Sequence, residues 1–353
     1  VDFDPGAGTA NLASSGGLDA YVLKLDAAGS YVWARGVGGT SSDQGTSLAT
    51  DSTGATYITG YFSDTVDFDP GAGTSNLISA GSLDIYTLKL DAAGSYVWAR
   101  GVGGTGSDNP NAIALDASGN VLNVGAFSGT ADFDPGVGTS NLVSAGSEDA
   151  YVLKLNSSGD FAWVNGYGAA GADRAGGVAS NSSDEIYITG RFANTVDFDP
   201  GVGAANLVSA GSNDIFVNKY TSSGTYDFAK QIGGTSYDST NGMALDTSAN
   251  IYLTGSFDLT VDFDPGAGTS NLVATGGGGD IFTTKLRAFI PPVLNTVTVN
   301  DAELVLTYNE TLDVGSTPLG TDFTILVDGV PATVANVVVL GATVTLTITP
   351  AVL

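Results

Sequence analysis

The string Val-Asp-Phe-Asp-Pro-Gly opens at Val1, Val66, Val196 and Val261, and a variant led by Ala131 fills the remaining place, so a 65-residue unit recurs five times. A period of this length marks supersecondary units that bury a continuous core only by stacking on one another. The first unit shows the cues in order: the Asp-Phe-Asp-Pro-Gly segment, a Gly/Ser-rich connection, then a strand at Ala20 to Leu25 and a second at Tyr31 to Ala34. Gly38-Gly39 and Asp43 follow, then short strands at Ser47 to Ala49 and Thr56 to Thr59. Turns starting at Asp26, Asp91, Asn156 and Thr221, and at Asp51, Asp116, Asn181 and Asp246, each place a side-chain acceptor first. Six of the eight carry Gly fourth, which suits a type I turn closed by a left-handed residue, and all eight read as hairpin turns. Short strands, hairpin turns and no helix pattern describe a propeller blade better than a helical solenoid.

The repeats resemble the bacterial β-propeller repeat family. Asp84-Ile85-Tyr86-Thr87-Leu88-Lys89-Leu90-Asp91-Ala92-Ala93-Gly94 with Trp98 carries the likeness most fully, and Asp116-Ala117-Ser118-Gly119-Asn120 completes it, with Leu122 where the family has Tyr. The resemblance spans residues 1–287. It implies the fold and an extracellular bacterial setting, and it implies no common activity.

The expected fold is therefore all-β: a β-propeller-type repeat array at 1–287, with units starting at 1, 66, 131, 196 and 261, and four to five blades visible. The aromatic-x-x-Lys strand occurs five times and the Trp or Phe228 strand four times. Ring closure by the first Trp strand, further units upstream and an open stack all fit that count. Residues 288–292 read as a Pro-rich linker. Residues 293–353 have no Lys, Arg or Trp and carry alternating β-branched runs. They look like the immunoglobulin-like repeats of very large bacterial surface and motility-associated proteins. Leu306-Thr307-Tyr308-Asn309-Glu310, Leu312-Asp313, Phe323, Val327-Asp328-Gly329 and Val344-Thr345-Leu346 carry that likeness. The expectation there is a truncated immunoglobulin-like β-sandwich module, and the whole chain reads as an excerpt of something longer.

Composition narrows the chemistry. With no His and no Cys, a Ser-His-Asp or Cys-His relay, a His-ligated metal and any disulfide are excluded. A net charge of −26 repels a phosphate backbone or an anionic membrane surface, so nucleic acid and direct membrane insertion are not expected.

The sharpest candidate site is a repeated pair of acids: Asp2 and Asp4, Asp67 and Asp69, Asp132 and Asp134, Asp197 and Asp199, Asp262 and Asp264. In an extended segment the two carboxylates share a side, roughly 7 Å apart at a ~3.3 Å rise per residue. They repel unless a cation or backbone N–H groups screen them. Calcium is the natural cation; the competing reading is a turn in which Asp accepts backbone hydrogen bonds. Further oxygens for a cation would come from carbonyls or from Asp19, Asp84, Asp149, Asp214 and Asp280. Lys24, Lys89, Lys154, Lys219 and Lys285 share one strand position, either as a cationic ring for an anion or as partners of nearby acids. Asp43, Asp108, Asp173 and Asp238 are expected to brace a loop, and the Gly-rich stretches lack the helix and Lys that a phosphate loop needs.

These features describe a non-catalytic extracellular bacterial surface protein, a structural or adhesive scaffold stabilised by calcium if the loops bind it. One alternative is a lectin-like propeller that stacks glycans on Trp33, Trp98 and Trp163; another is a subunit of a self-assembling surface filament or sheath. Carboxylate-only glycosidase chemistry would require unique acids outside the repeat, of which there are few. The expected partners are other copies of the chain, other surface proteins or glycans.

Overall fold

The computed structural model describes residues 1–266, 268–276, 278–288, 294–300, 302–308, 323, 325–327 and 330–349. All eight expected turns close hairpins. In the first, Asp26 Oδ1 accepts the amides of Ala28 at 2.9 Å and Ser30 at 2.8 Å. Gly29 then takes φ +80°. Where the sequence offers no Gly, Asp184 and Ala249 adopt the left-handed conformation instead, at φ 59° and 58°.

The hairpins assemble into four-stranded antiparallel sheets, and the described residues are all β. One sheet orders Gln44–Thr50, Thr56–Phe62, Asp84–Leu90 and Tyr96–Gly104 side by side. The next repeats this with Asn109–Leu115, Val121–Phe127, Asp149–Leu155 and Phe161–Tyr167, and a third with Arg174–Ser180, Ile186–Phe192, Asp214–Tyr220 and Tyr226–Gly234. Ala20–Leu25 and Tyr31–Val37 form a leading pair equivalent to third and fourth strands, and Ser239–Leu245, Ile251–Phe257 and Asp280–Leu286 a trailing trio equivalent to the first three. The first strands of consecutive sheets pack on one another, which is the stacking of propeller blades. Each blade thus straddles two sequence units, because the Asp-Phe-Asp-Pro-Gly motif falls between a blade's second and third strands.

Both faces of a middle strand are covered by neighbouring blades. All seven residues of Val121–Phe127, Asp149–Leu155 and Asp214–Tyr220 are buried. An aromatic trio recurs in each blade. Phe62, Phe68 and Tyr86 meet with centroids 5.4 Å and 4.8 Å from Phe68. Phe127 with Phe133 and Tyr151, Phe192 with Phe198 and Phe216, and Phe257 with Phe263 and Phe282 repeat the set. The motif's Phe is therefore a core residue, and so is the Val or Ala that opens it, at Val66, Ala131, Val196 and Val261.

The chain divides into two compact units, Val1–Phe263 with Asn271–Arg287, and Asp264–Ser270 with Ala288–Leu353. In the second, Leu294–Asn300, Glu303–Tyr308, Thr343–Thr349, Val330–Leu340 and Ile325–Val327 form one five-stranded antiparallel sheet in that order. Leu306, Val344 and Leu346 are buried at its centre, with Phe323 and Ile325 packed against them. A second sheet, which a sandwich requires, is not among the described residues. Asn309, Glu310, Leu312, Asp313, Asp328 and Gly329 lie outside them.

Candidate functional site

The repeated acids form a small hairpin inserted in each blade. Thr65–Asp67 pairs with Asn76–Ile78, matching Asp67 to Asn76, and the Asn-Leu pairs at 11, 141, 206 and 271 occupy the same place in the other units. The Gly/Ser-rich composition of this stretch reads as a plain connection, and the recurrent Asn-Leu is the signal in the sequence that marks a strand. Within the hairpin, Asp67 Oδ1 accepts the amides of Asp69 at 3.0 Å and Ser75 at 2.8 Å, and Asp69 Oδ1 accepts Gly71 N at 2.8 Å.

Three of the other units make the same bonds. Asp2 Oδ1 accepts the amides of Asp4 and Ala10, and Asp4 Oδ1 accepts Gly6 N at 2.7 Å. Asp132 Oδ1 accepts those of Asp134 and Ser140, and Asp134 Oδ1 accepts Gly136 N at 2.8 Å. Asp197 Oδ1 accepts those of Asp199 and Ala205, and Asp199 Oδ1 accepts Gly201 N at 2.8 Å. Asp262 is matched to Asn271, and Asp264 accepts Gly266 N at 2.8 Å. A Cβ on Gly73 would stand 2.1 Å from Asp69 Oδ2, so a side chain there would displace the carboxylate.

Among the described residues no group of three or more acids gathers in metal-binding geometry, so Asp2, Asp4, Asp67, Asp69, Asp132, Asp134, Asp197, Asp199, Asp262 and Asp264 do not assemble into a carboxylate cage with Asp19, Asp84, Asp149, Asp214 or Asp280. The physical reason is local. In each pair, Asp4, Asp69, Asp134, Asp199 and Asp264 turn one oxygen onto the amide of the Gly two residues on, so backbone N–H groups supply the screening that a cation would otherwise give.

The hairpin also latches neighbouring blades. Ala131 and Asp132 pair with Gly104 and Gly103 at the end of the preceding blade's fourth strand, and Val261 and Asp262 with Gly234 and Gly233. A Cβ on Gly104 would meet the Thr130 carbonyl at 1.9 Å, which explains the recurrent Gly-Gly. A second seam lies at the Trp position. Trp33 Nε1 donates to the Ala92 carbonyl at 3.2 Å, and Trp163 Nε1 to Ser222 at 3.2 Å, each in the turn of the following blade. Trp33 and Trp98 are buried there, so neither indole face is free to stack on a sugar.

The recurrent lysines are spent on partners in their own blade or the next. Lys154 Nζ lies 2.8 Å from Asp116, and Lys219 Nζ 2.8 Å from Glu185 and 2.9 Å from Asp227. Lys285 pairs with Asp246 at 3.2 Å, Lys24 donates to the Ala92 carbonyl at 3.0 Å, and Lys89 sits over the Tyr57 ring. Burial pushes the Asp116 carboxyl up, but hydrogen bonds from Lys154 and Asn120 outweigh it and hold the group below the ordinary carboxylate range.

Asp43, Asp108, Asp173 and Asp238 brace loops, as expected. Asp108 takes Gly104 N on one oxygen at 2.8 Å and Ser128 N on the other at 3.1 Å, tying the approach to one blade's first strand to the exit of its second. Each brace faces a second acid at the start of the preceding blade's third strand: Asp43 faces Asp19, Asp108 faces Asp84, Asp173 faces Asp149 and Asp238 faces Asp214. Burial pushes Asp108 up to about 6, with Asp84 adding to the shift. Asp84, Asp149, Asp43, Asp173 and Asp238 are raised by burial as well.

The seams, latches and braces all belong to a stacked-blade array. Residues 227–256 match the β-propeller repeat. Residues 288–353 match the family described as "Putative flagellar system-associated repeat". The chain is 25% identical over 227 residues to an uncharacterized WD repeat-containing protein of Acanthamoeba polyphaga mimivirus, covering 56% of this chain and 16% of that protein. It is 29% identical over 175 residues to the regulatory protein FlaEY of Caulobacter vibrioides, covering 48% of this chain and 18% of that protein. The chain thus spans under a fifth of the length of either relative. A solved protein of unknown function from Bacteroides caccae overlaps 83% of this chain and 80% of its own at 8% identity and a TM-score of 0.35, too low to carry an argument. Together with the sheet architecture, the matches describe a repeat protein whose stacked sheets are similar to β-propeller repeats and whose residues 288–353 are similar to the flagellar system-associated repeat.

Proposed function

We propose that the chain is a non-catalytic extracellular scaffold that presents the same loop in phase from successive blades. One observation carries this reading. The repeated motif spends its Val, Phe and Asp side chains on the fold, while the residues after Pro-Gly face solvent, with Val137 and Val202 fully exposed at equivalent loop tips. Closely similar loops 65 residues apart on a rigid array let weak contacts with a surface polymer or another surface protein gain avidity. The match of residues 288–353 and the likeness to FlaEY support a motility-associated bacterial setting.

Antibody against the 135–140 loop should label intact cells of the source bacterium, and beads coated with the chain should adhere to them. Replacing the Val137 and Val202 loops with Gly-Ser should weaken adhesion stepwise. Labelling only after permeabilisation would remove the extracellular assignment, and adhesion indifferent to both replacements would remove the loops from it.

A second reading, end-to-end self-assembly, is favoured by the strand Asp280–Leu286. Ile281 is 89% exposed where Ile85 and Ile215 are fully buried, and among the described residues no strand pairs with its outer edge. Sedimentation of wild type against Ile281→Lys tests it; identical monomeric profiles at high concentration would exclude the assembly.

A further inference from the structure

The acid pairs between blades differ from one another in an informative way. Where Asp214 faces Asp238, Gln231 Nε2 donates to Asp214 Oδ2 and Ser209 Oγ to Asp214 Oδ1 at 3.2 Å, so both oxygens are satisfied. Gln231 pairs across the sheet with Phe216, and the residues at that register in the other blades are Gly36, Gly101 and Gly166, opposite Tyr21, Tyr86 and Tyr151. In those three blades, where no amide is available, Oδ1 of Asp19, Asp84 and Asp149 is buried with no hydrogen-bond donor. Asp84 and Asp149 are only 4% and 5% exposed. Ser79 Oγ lies beside Asp84, where it offsets part of the rise that burial gives the carboxyl, and it donates to the Gly81 carbonyl at 3.1 Å.

The unpartnered oxygen and an oxygen of a second acid lie on the same side of Gly103. The point a Cβ of Gly103 would occupy is 2.8 Å from Oδ1 of Asp84 and 2.9 Å from Oδ2 of Asp108. Asp108 is itself fully buried, and no Lys or Arg shapes the titration of either group. The equivalent Asp173 feels Arg191 as well as Asp149. Two buried carboxylates without a counter-charge cost far more than their brace bonds return unless a cation or a proton offsets them.

We propose that a calcium ion seats between Asp84 and Asp108, with an equivalent site at Asp149 and Asp173, and that Gln231 replaces the ion in the blade of Asp214 and Asp238. Calcium matches the site in three respects: its charge neutralises the pair, its ligands are oxygens, and it tolerates irregular loops. Backbone carbonyls and water complete its shell. The sites stand apart from the Asp-Phe-Asp-Pro-Gly loops, and the proposal is independent of what those loops bind.

Calorimetric titration of the chelator-stripped 353-residue chain with calcium alone tests this. Calcium should bind and raise the melting temperature, as any ligand of the native state does. Asp84→Asn should lower the number of ions bound by one. So should Gly101→Gln, which copies Gln231 at a position where a Cβ meets nothing closer than 3.4 Å, and it should do so without unfolding the chain. Gln231→Gly should add one ion. Absence of calcium binding at millimolar concentration would overturn the proposal. So would binding that survives Asp84→Asn, Asp149→Asn and Gly101→Gln but is lost in Asp69→Asn, which would place the ion in the exposed loops.

Discussion

Arg100 Nε donates to the carbonyl oxygen of Gly159, in the turn of the following blade, at 2.8 Å, and Arg35 makes the same bond to Gly94 at 2.8 Å. Arg100 adds bonds to Ser158 and Ala99 while its guanidinium lies 5.5 Å from the Trp98 ring. Asn165 replaces Arg in the next blade and reaches Gly224 at 2.8 Å, so the contact outlives the charge. Arg100→Ala should destabilise by about 1.5–3 kcal/mol, the range for charge-assisted hydrogen bonds. Arg100→Lys, which loses the planar fork, should fall between it and wild type in urea denaturation.

The turn glycine on the other side of this seam is constrained twice. Gly159 has φ +80°, and a Cβ there would press on Trp98 at 3.0 Å, whereas Gly29 shares the φ and meets nothing within 4 Å. Gly29→Ala should cost about 1–2 kcal/mol for the left-handed backbone alone. Gly159→Ala should cost a further ~1–3 kcal/mol of overpacking against the indole. Equal losses in thermal melts would show that the Trp seam yields freely.

Lys154 and Asp116 form an ion pair whose side chains are 7% and 0% exposed. Lys154→Met strands the Asp116 carboxylate and should cost about 3–5 kcal/mol, while the double replacement Lys154→Met with Asp116→Leu should recover much of it. A double-mutant cycle in denaturant provides the check.

The buried acid pairs set the pH response. Asp108, raised to about 6 from 3.8, binds a proton more tightly in the folded chain than in the unfolded one. Stability from this group therefore increases as pH falls through 6 toward 4 and is absent above 6. Asp84, Asp149 and Asp173 act with the same sign. Acids held low, such as Asp116 and Asp246, contribute above their unfolded value and lose that contribution only at lower pH. In chelator, the melting temperature should be higher at pH 5 than at pH 7, and Asp108→Asn should flatten that slope.

Ile215 and Ile281 hold the same place in equivalent third strands, one fully buried and the other 89% exposed. Ile215→Ala should cost about 2–5 kcal/mol by cavity formation. Ile281→Ala should stay within about 0.5 kcal/mol, as surface changes do. A comparable loss at both positions would mean that Ile281 is covered in solution.

The sequence alone specified the local geometry of the repeats. Acceptor-first turns, alternating strands and the 65-residue period act over a few residues, so the eight hairpins were legible from Asp26 to Ala249. It also placed the bracing acids Asp43, Asp108, Asp173 and Asp238, because an Asp close to a Gly-rich bend has few other uses. The tertiary structure decided the rest. Asp67 accepts the Ser75 amide, brought round by the partner strand Asn76–Ile78, and Asp84 meets Asp108 across 24 residues of chain. Periodicity fixes which residues recur, whereas pairing across a blade seam fixes which of them touch. The lone Gln231, standing in phase with three glycines, acquires meaning only when the sheet sets it beside Asp214.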